Sequence, residues 1–311
     1  MLGIMLLPAP GLRATQAALG PGDHTITLSH GGRQRRYIVH GPRRLARPSP
    51  VLLAFHGGGG RAAQFQRSAG LDHISDREGF LAVYPDGTGP FRGTLLTWNA
   101  GGCCGRAQRD NVDDIAFIRA LIADLAQRTP VDSTRIYATG HSNGGMLAYR
   151  LAAEASDLVA AIAPVGGAMV TQPPPTARPV PLLHIHSLND PRAYYEGGLG
   201  PPFPGTNRRV EHPPVPEVLS FWRRLNGCDP SADTARRVAG RPRSPSEEHT
   251  ATHLIWTCNS APVEHWRLTV AGHGWPGGSS GVADRIIGPE SDVIDASEEV
   301  WRFVSRFRKR P

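Results

Sequence analysis

Residues 135–152 read RIYATGHSNGGMLAYRLA, and no other segment of this chain restricts the fold as tightly. A strand-like run, RIYAT, leads straight into Gly140-His141-Ser142-Asn143-Gly144, and small and apolar residues at helical spacing leave it. A chain that passes from strand to helix around a single apex residue crowds the positions two before and two after that residue, so both must be tiny. Gly140 and Gly144 meet the demand, and Gly145 eases the start of the helix. Ser142 then projects its hydroxyl beyond the carboxyl end of a strand. A helix-capping serine is the plain alternative. The strand before it and the helix after it favour a nucleophile.

The rest of the chain supplies a matching frame. HTITLSH and RQRRYIVHG flank Gly31-Gly32 and predict a hairpin. PVLLAFHGGGG and GFLAVYPDG read as buried strands, with a helix over residues 62–69 between them. Residues 111–127 carry Ile115, Ile118, Leu121, Ile122 and Leu125 at helical spacing, with Asp113 and Asp114 in the first turn. LVAAIAPVGG and PLLHIHS predict two more buried strands. A helix over 215–225, a strand pair HLIWTC and VEHWRLTV, and an amphipathic helix over 292–307 follow. Apolar strands alternating with helices predict an α/β fold, a mostly parallel central sheet with helices on both faces and an antiparallel N-terminal edge. The long segment 197–216 is placed to shape a pocket.

A serine hydroxyl needs a general base, and the base needs an acid to orient it. In a sheet of this kind the chain order is serine, acid, histidine. Asp190 follows the strand LLHIHS, and His273 lies in a glycine loop after WRLTV. They are the expected acid and base. Asp86 and Asp292 are rival acids, while His184, His186 and His265 lie inside strands and read as structural. The developing oxyanion needs donors. The backbone N–H of Asn143 is one candidate; Gly58, with Gly57 as alternative, is the other, from the run His56 to Gly60, FHGGGG. That glycine run lacks the Lys-Ser/Thr pair of a phosphate loop.

Composition sets outer bounds. The chain has 311 residues, 40% hydrophobic, with 36 Gly and 29 Pro, a globular and loop-rich make-up. Residues 21–311 read as one catalytic domain. The net charge of +7 is carried by arginine, Lys309 being the sole lysine. With no zinc finger, RNP motif or basic helix, the charge reads as a solvated surface, not a nucleic-acid interface. Residues 1–20 combine a short apolar run with small residues but lack a charged n-region, which fits a signal-peptide remnant or a disordered tail. No later run is long enough for a membrane helix. Cys228 and Cys258 are plausible disulfide partners, Cys103 and Cys104 are adjacent with their pairing open, and no spacing suits zinc.

HGGGG, YPDG, W..GGCCG, VDDIAFIRALI, YATGHSNGGMLAYRLA, DPRAYYEGG, FW..LNGC and AGHGWPGG, in order from His56 to Gly278, together resemble the polyhydroxybutyrate depolymerase-like and feruloyl-esterase-like group of α/β-hydrolases. The resemblance implies an esterase, often secreted, that uses no cofactor, with Ser142, Asp190 and His273 as its triad. The chain departs at HSLNDP, where the group often has HGTADP. Secreted polymer-degrading relatives often append a linker and a binding domain; this chain stops after one closing helix, which weighs against an insoluble polymer, and hydroxyalkanoate oligomers, polyesters and feruloyl-type esters are the expected substrates. Trp275, Trp98 and Tyr194 are expected near the site as aromatic walls for an aromatic acyl group or an apolar polyester segment. Acyl transfer, peptide cleavage and a non-catalytic binding protein on the same scaffold are the competing readings.

Overall fold

In the computed structural model the described residues are 19–91, 93–203, 207–241 and 248–309. The expectation for residues 1–20 therefore lies almost wholly outside them. The chain opens with β1 (Gly22–His30) and β2 (Arg33–Gly41), paired antiparallel. Gly31 and Gly32 both have positive φ, 55° and 69°, as a two-residue hairpin turn of this hand requires. Then come β3 (Ser49–Phe55), α1 (Ala62–Ala69), α2 (Leu71–Glu78), β4 (Leu81–Pro85), α3 (Gly105–Arg109), α4 (Asp114–Arg128), β5 (Val131–His141), α5 (Asn143–Glu154), β6 (Ala161–Val165) and β7 (Leu182–Ser187). The short pair β8 (Gly198–Leu199) and β9 (Glu211–His212) precedes α6 (Val215–Asn226). The chain continues through β10 (Asp233–Ala239), β11 (Thr250–Trp256), β12 (Val263–Leu268), α7 (Asp284–Ile287) and α8 (Ala296–Val304).

Ten strands form one sheet in the order β1-β2-β4-β3-β5-β6-β7-β12-β11-β10. The six from β4 to β12 in that order are parallel. The N-terminal hairpin makes an antiparallel edge, as expected. The opposite edge is antiparallel too, where β11 and β10 extend β12. The sequence reading missed β10, whose DTARRVA is almost all exposed. An edge strand with one covered side needs no apolar alternation, and charged residues there deter pairing with another chain. It also missed the short helices α2 and α3.

The sheet separates two cores. On β3, Val51, Leu53 and Phe55 face one cluster with α4, α5 and α6, while Leu52 and Ala54 face the other with α1, α2 and α8. Every residue of β3 is buried. A strand covered on both faces reads as a continuous apolar run for this reason. Strand order reverses at β3, since β4 lies on one side of it and β5 on the other. The loops after β3 and β5 therefore diverge and open a crevice at the carboxyl ends of the strands, where open α/β sheets bind ligands. Those two loops carry HGGGG and the serine turn.

Cys228 pairs with Cys258, tying the end of α6 to the segment after β11, as the sequence suggested. Cys103 and Cys104 pair with each other. Among the described residues no helix is long and apolar enough to cross a membrane.

Candidate active site

Ser142 sits between β5 and α5 with φ 55° and ψ −119°, a strained conformation for a residue with a side chain. The turn is held by Ser142 N–H donating to Val165 O at 2.8 Å and Met146 N–H donating to Ser142 O at 2.9 Å. Its glycines are sterically forced. A Cβ on Gly144 would lie 2.2 Å from Phe55 O, and one on Gly140 would lie 2.6 Å from the Gly144 backbone.

Three distant segments converge on this turn. His273 Nε2 lies 2.8 Å from Ser142 Oγ, and His273 Nδ1 lies 2.7 Å from Asp190 Oδ2. Asp190 is buried, 4% exposed. Its Oδ1 accepts from the N–H groups of Arg192 and Ala193, both at 2.8 Å. Burial alone would raise its pKa, but the facing His273, then His186 and the Ala193 amide, hold it down to about 2. An ionised carboxylate on Nδ1 fixes the proton there, so Nε2 is left to accept from the serine hydroxyl. The rival acids are engaged elsewhere or absent from the crevice. Asp86 caps α1 through Ala62 N–H and pairs with Arg36, and Asp292 is exposed.

The histidines read as structural are buried and neutral. Tyr149 O–H donates to His184 Nδ1 at 3.0 Å, and His184 Nε2 lies 3.0 Å from His186 Nδ1. His186 Nε2–H donates to Ala193 O at 2.8 Å, 3.5 Å from Asp190 Oδ2. The carbonyl can only accept, so the protons along this chain run one way, toward the acid loop. His265 Nδ1–H donates to His184 O. The spacing H-I-H within a strand was the available signal for this support, since alternate residues share a face.

Gly58 and Asn143 face each other closely, a Cβ on Gly58 falling 3.6 Å from Asn143 Cβ. Both line the crevice beside Ser142, and neither N–H has an acceptor among the described residues. Gly57 lies nearby, its added Cβ 3.6 Å from Ser142 Cβ. The loop is braced by His56, whose Nδ1–H donates to Gly57 O while its Nε2 accepts from Gly87 N–H. The sequence reading gave His56 no role.

The cleft holds about 410 Å³. Its apolar wall comes from Phe65, Leu95, Met146, Phe203, Val210 and Ile287, with Cys103 and Cys104 beside them. The expected aromatic wall is thus corrected. Trp98 is fully buried behind the glycine loop, where its Nε1–H donates to His56 O at 3.0 Å. Trp275 is also buried; its Nε1–H donates to Ser297 Oγ and its ring packs edge-on against Phe65. Tyr194 is 37% exposed and outside the cleft wall. Burying the large apolar ring draws both tryptophans inward, and each indole N–H meets an acceptor there. The segment 197–216 does shape the pocket, through Pro201, Phe203, Arg208, Val210 and His212.

A parallel sheet with a strained serine at the switch point, a histidine and a carboxylate in line with it, and helices on both faces defines the α/β-hydrolase class. The esterase PHB depolymerase family model matches residues 37–200, which include Ser142 and Asp190. The chain belongs to that family and is a carboxylic ester hydrolase. It is 30% identical over 286 residues to NocK of Nocardia uniformis subsp. tsuyamanensis, a protein named as an esterase, covering 88% of this chain and 80% of NocK. It is 27% identical over 279 residues to the bifunctional acetylxylan esterase/xylanase XynS20E of Neocallimastix patriciarum, covering 89% of this chain and 34% of that protein. Feruloyl esterase B of Piromyces equi is 28% identical over 202 residues, 62% of this chain and 36% of the enzyme. The chain thus spans about a third of the length of those two relatives. Among solved structures, acetyl xylan esterase from Aspergillus awamori shares the fold, with a TM-score of 0.58 at 15% identity over 91% of this chain and 99% of that one.

Proposed function

We propose that the protein cleaves carboxylic esters through an acyl-serine intermediate, with Ser142 as nucleophile, His273 as general base and acid, and Asp190 as the orienting acid. The observation that carries this reading is the unbroken hydrogen-bonded line Asp190–His273–Ser142 opening into a cleft. His273 Nε2 takes the hydroxyl proton as Ser142 Oγ bonds to the ester carbonyl carbon. The oxyanion is met by the N–H groups of Gly58 and Asn143, the latter at the N-terminus of α5. The tetrahedral centre collapses, the alcohol leaves with the proton held by His273, and a water activated by the same nitrogen releases the acid.

The substrates we propose are hydroxyalkanoate oligomers or polyester ends, and feruloyl-type esters. The partly apolar cleft supports both, and acetylxylan and feruloyl esterases among the relatives support esters of that size. Two disulfides support an extracellular or periplasmic location, where thiols oxidise. The deciding experiment is fluorophosphonate labelling with peptide mapping. An adduct on Ser142, lost in Ser142→Ala together with nitrophenyl ester turnover, is the expected result. A folded Ser142→Ala variant that keeps wild-type turnover would overturn the mechanism.

A further inference from the structure

Apart from its apolar wall and the catalytic line, the cleft has a one-sided charge. Three arginines line it, Arg61, Arg192 and Arg208, and no Asp or Glu does so among the described residues. Asp190 lies behind His273, and the carboxylate of Glu290 is taken up by Ser280 N–H. Asp284 starts α7 at the rim without lining the cleft. Arg192 is the best placed of the three. Its backbone N–H is fixed on Asp190 Oδ1, and its Nη2–H donates to Pro202 O at 2.9 Å, which turns the guanidinium toward the segment 200–212. The remaining donors of that five-donor fork meet no acceptor among the described residues. On the same segment, His212 lines the cleft while 7% exposed, and its Nδ1 has no partner among the described residues.

We propose that this cleft selects esters carrying a free carboxylate, recognised chiefly by Arg192 with Arg61 and Arg208 in support. The inference rests on the ester-hydrolase reading above and narrows its substrate class. A guanidinium matches a carboxylate in a bidentate, planar way that a neutral ester end cannot imitate. Phe203 and Val210 flank the same wall, so a suitable substrate is apolar between the scissile bond and its charged end. A short hydroxyacid oligomer has that form. Water adds across one ester bond to give a shortened acid and a hydroxyacid, and the carboxylate sits on the alcohol portion that leaves.

The test compares a linear 3-hydroxybutyrate dimer bearing its free carboxylate with the same dimer capped as a primary amide, which keeps length and removes charge. With product release followed by chromatography, the free acid is expected to have a kcat/KM about tenfold higher, mostly through KM. That ratio should fall toward one in Arg192→Gln, persist in Arg192→Lys, and shrink as salt rises. Circular dichroism and thermal unfolding establish that each variant is folded. Equal rates on both dimers, or a ratio untouched in a folded Arg61→Gln/Arg192→Gln/Arg208→Gln protein, would overturn the proposal while leaving ester hydrolysis standing. Failure to cleave either dimer or any nitrophenyl ester would overturn both readings.

Discussion

His141, the residue before Ser142, donates its Nε2–H to the backbone carbonyl of His273 across 2.8 Å. The serine turn and the base loop, 132 positions apart in the chain, are thereby clamped together. Burial, with the neighbouring His273 next, pushes the pKa of His141 down to about 3, so the ring stays neutral beside the imidazole that becomes cationic in the proposed mechanism. Replacing His141 with Ala frees the base loop. We expect kcat to fall about ten- to a hundredfold with little change in KM, the effect of misplacing a catalytic group by a fraction of an ångström to an ångström. A glutamine at this position retains a donor and should restore part of the loss. Steady-state kinetics of both variants measure this, and unchanged kcat in His141→Ala would refute the clamp.

Asp190→Asn keeps the size of the acid but removes the charge that holds the Nδ1 proton of His273. The fold should survive, because the amide oxygen can still accept from Arg192 and Ala193 N–H. Turnover should drop about 10⁴-fold, the cost of the wrong tautomer in a serine triad. A loss below tenfold in a folded variant would mean that another carboxylate orients the base.

Two glycines near the site should differ sharply in their response to alanine. At Gly144 the added Cβ would fall 2.2 Å from Phe55 O and 2.6 Å from His56 O, backbone atoms that cannot withdraw. At Gly274, beside the base, it would meet nothing within 4 Å. We expect Gly144→Ala to lose about 3 kcal/mol or more and Gly274→Ala less than about 1 kcal/mol in urea unfolding. Similar losses for both would contradict the steric account of the elbow.

Stability should fall as the solution is acidified. Burial lowers the pKa of His265 to about 3 and of His56 and His212 to about 4, and of His184 well below its ordinary value. In the unfolded chain these rings take protons below about pH 6.5, whereas the folded state refuses them until much lower pH. The unfolded state therefore binds more protons between about pH 6.5 and 3, and stability is lost across that window. The carboxylates of Asp190 and Asp132, held at about 2, add to the loss below about pH 4. His40 runs the other way. Burial lowers its pKa, but Asp23, Asp72 and Asp76 outweigh that and leave it raised, so its contribution is complete below about pH 6.5 and fades as pH rises through its folded value. One such group does not offset four. Denaturant titrations at pH 8, 6, 5 and 4 should give a falling series; a flat or rising one would show that the buried rings are already protonated or exposed.

The sequence by itself determined what is local. The hairpin at Gly31-Gly32, the helical spacing of residues 115–125 and the strand–serine–helix turn are each set by backbone sterics or side-chain periodicity within a few residues, and each stands in the structure where it was read. The order serine, acid, histidine also named three side chains that the fold brings within hydrogen-bonding distance, because each follows a strand of one parallel sheet and such strands end at a common rim. Tertiary structure decided the rest. Trp98 and Trp275 read as cleft walls, yet each ring is buried inward and its indole N–H donates to another element, to His56 O or Ser297 Oγ. The wall itself comes from Phe65, Met146 and Phe203, and β10 pairs at the far edge without an apolar pattern of its own. Which side of a loop faces solvent, and which polar atom meets which partner, depends on contacts between segments far apart in the chain, and no short-range pattern encodes them.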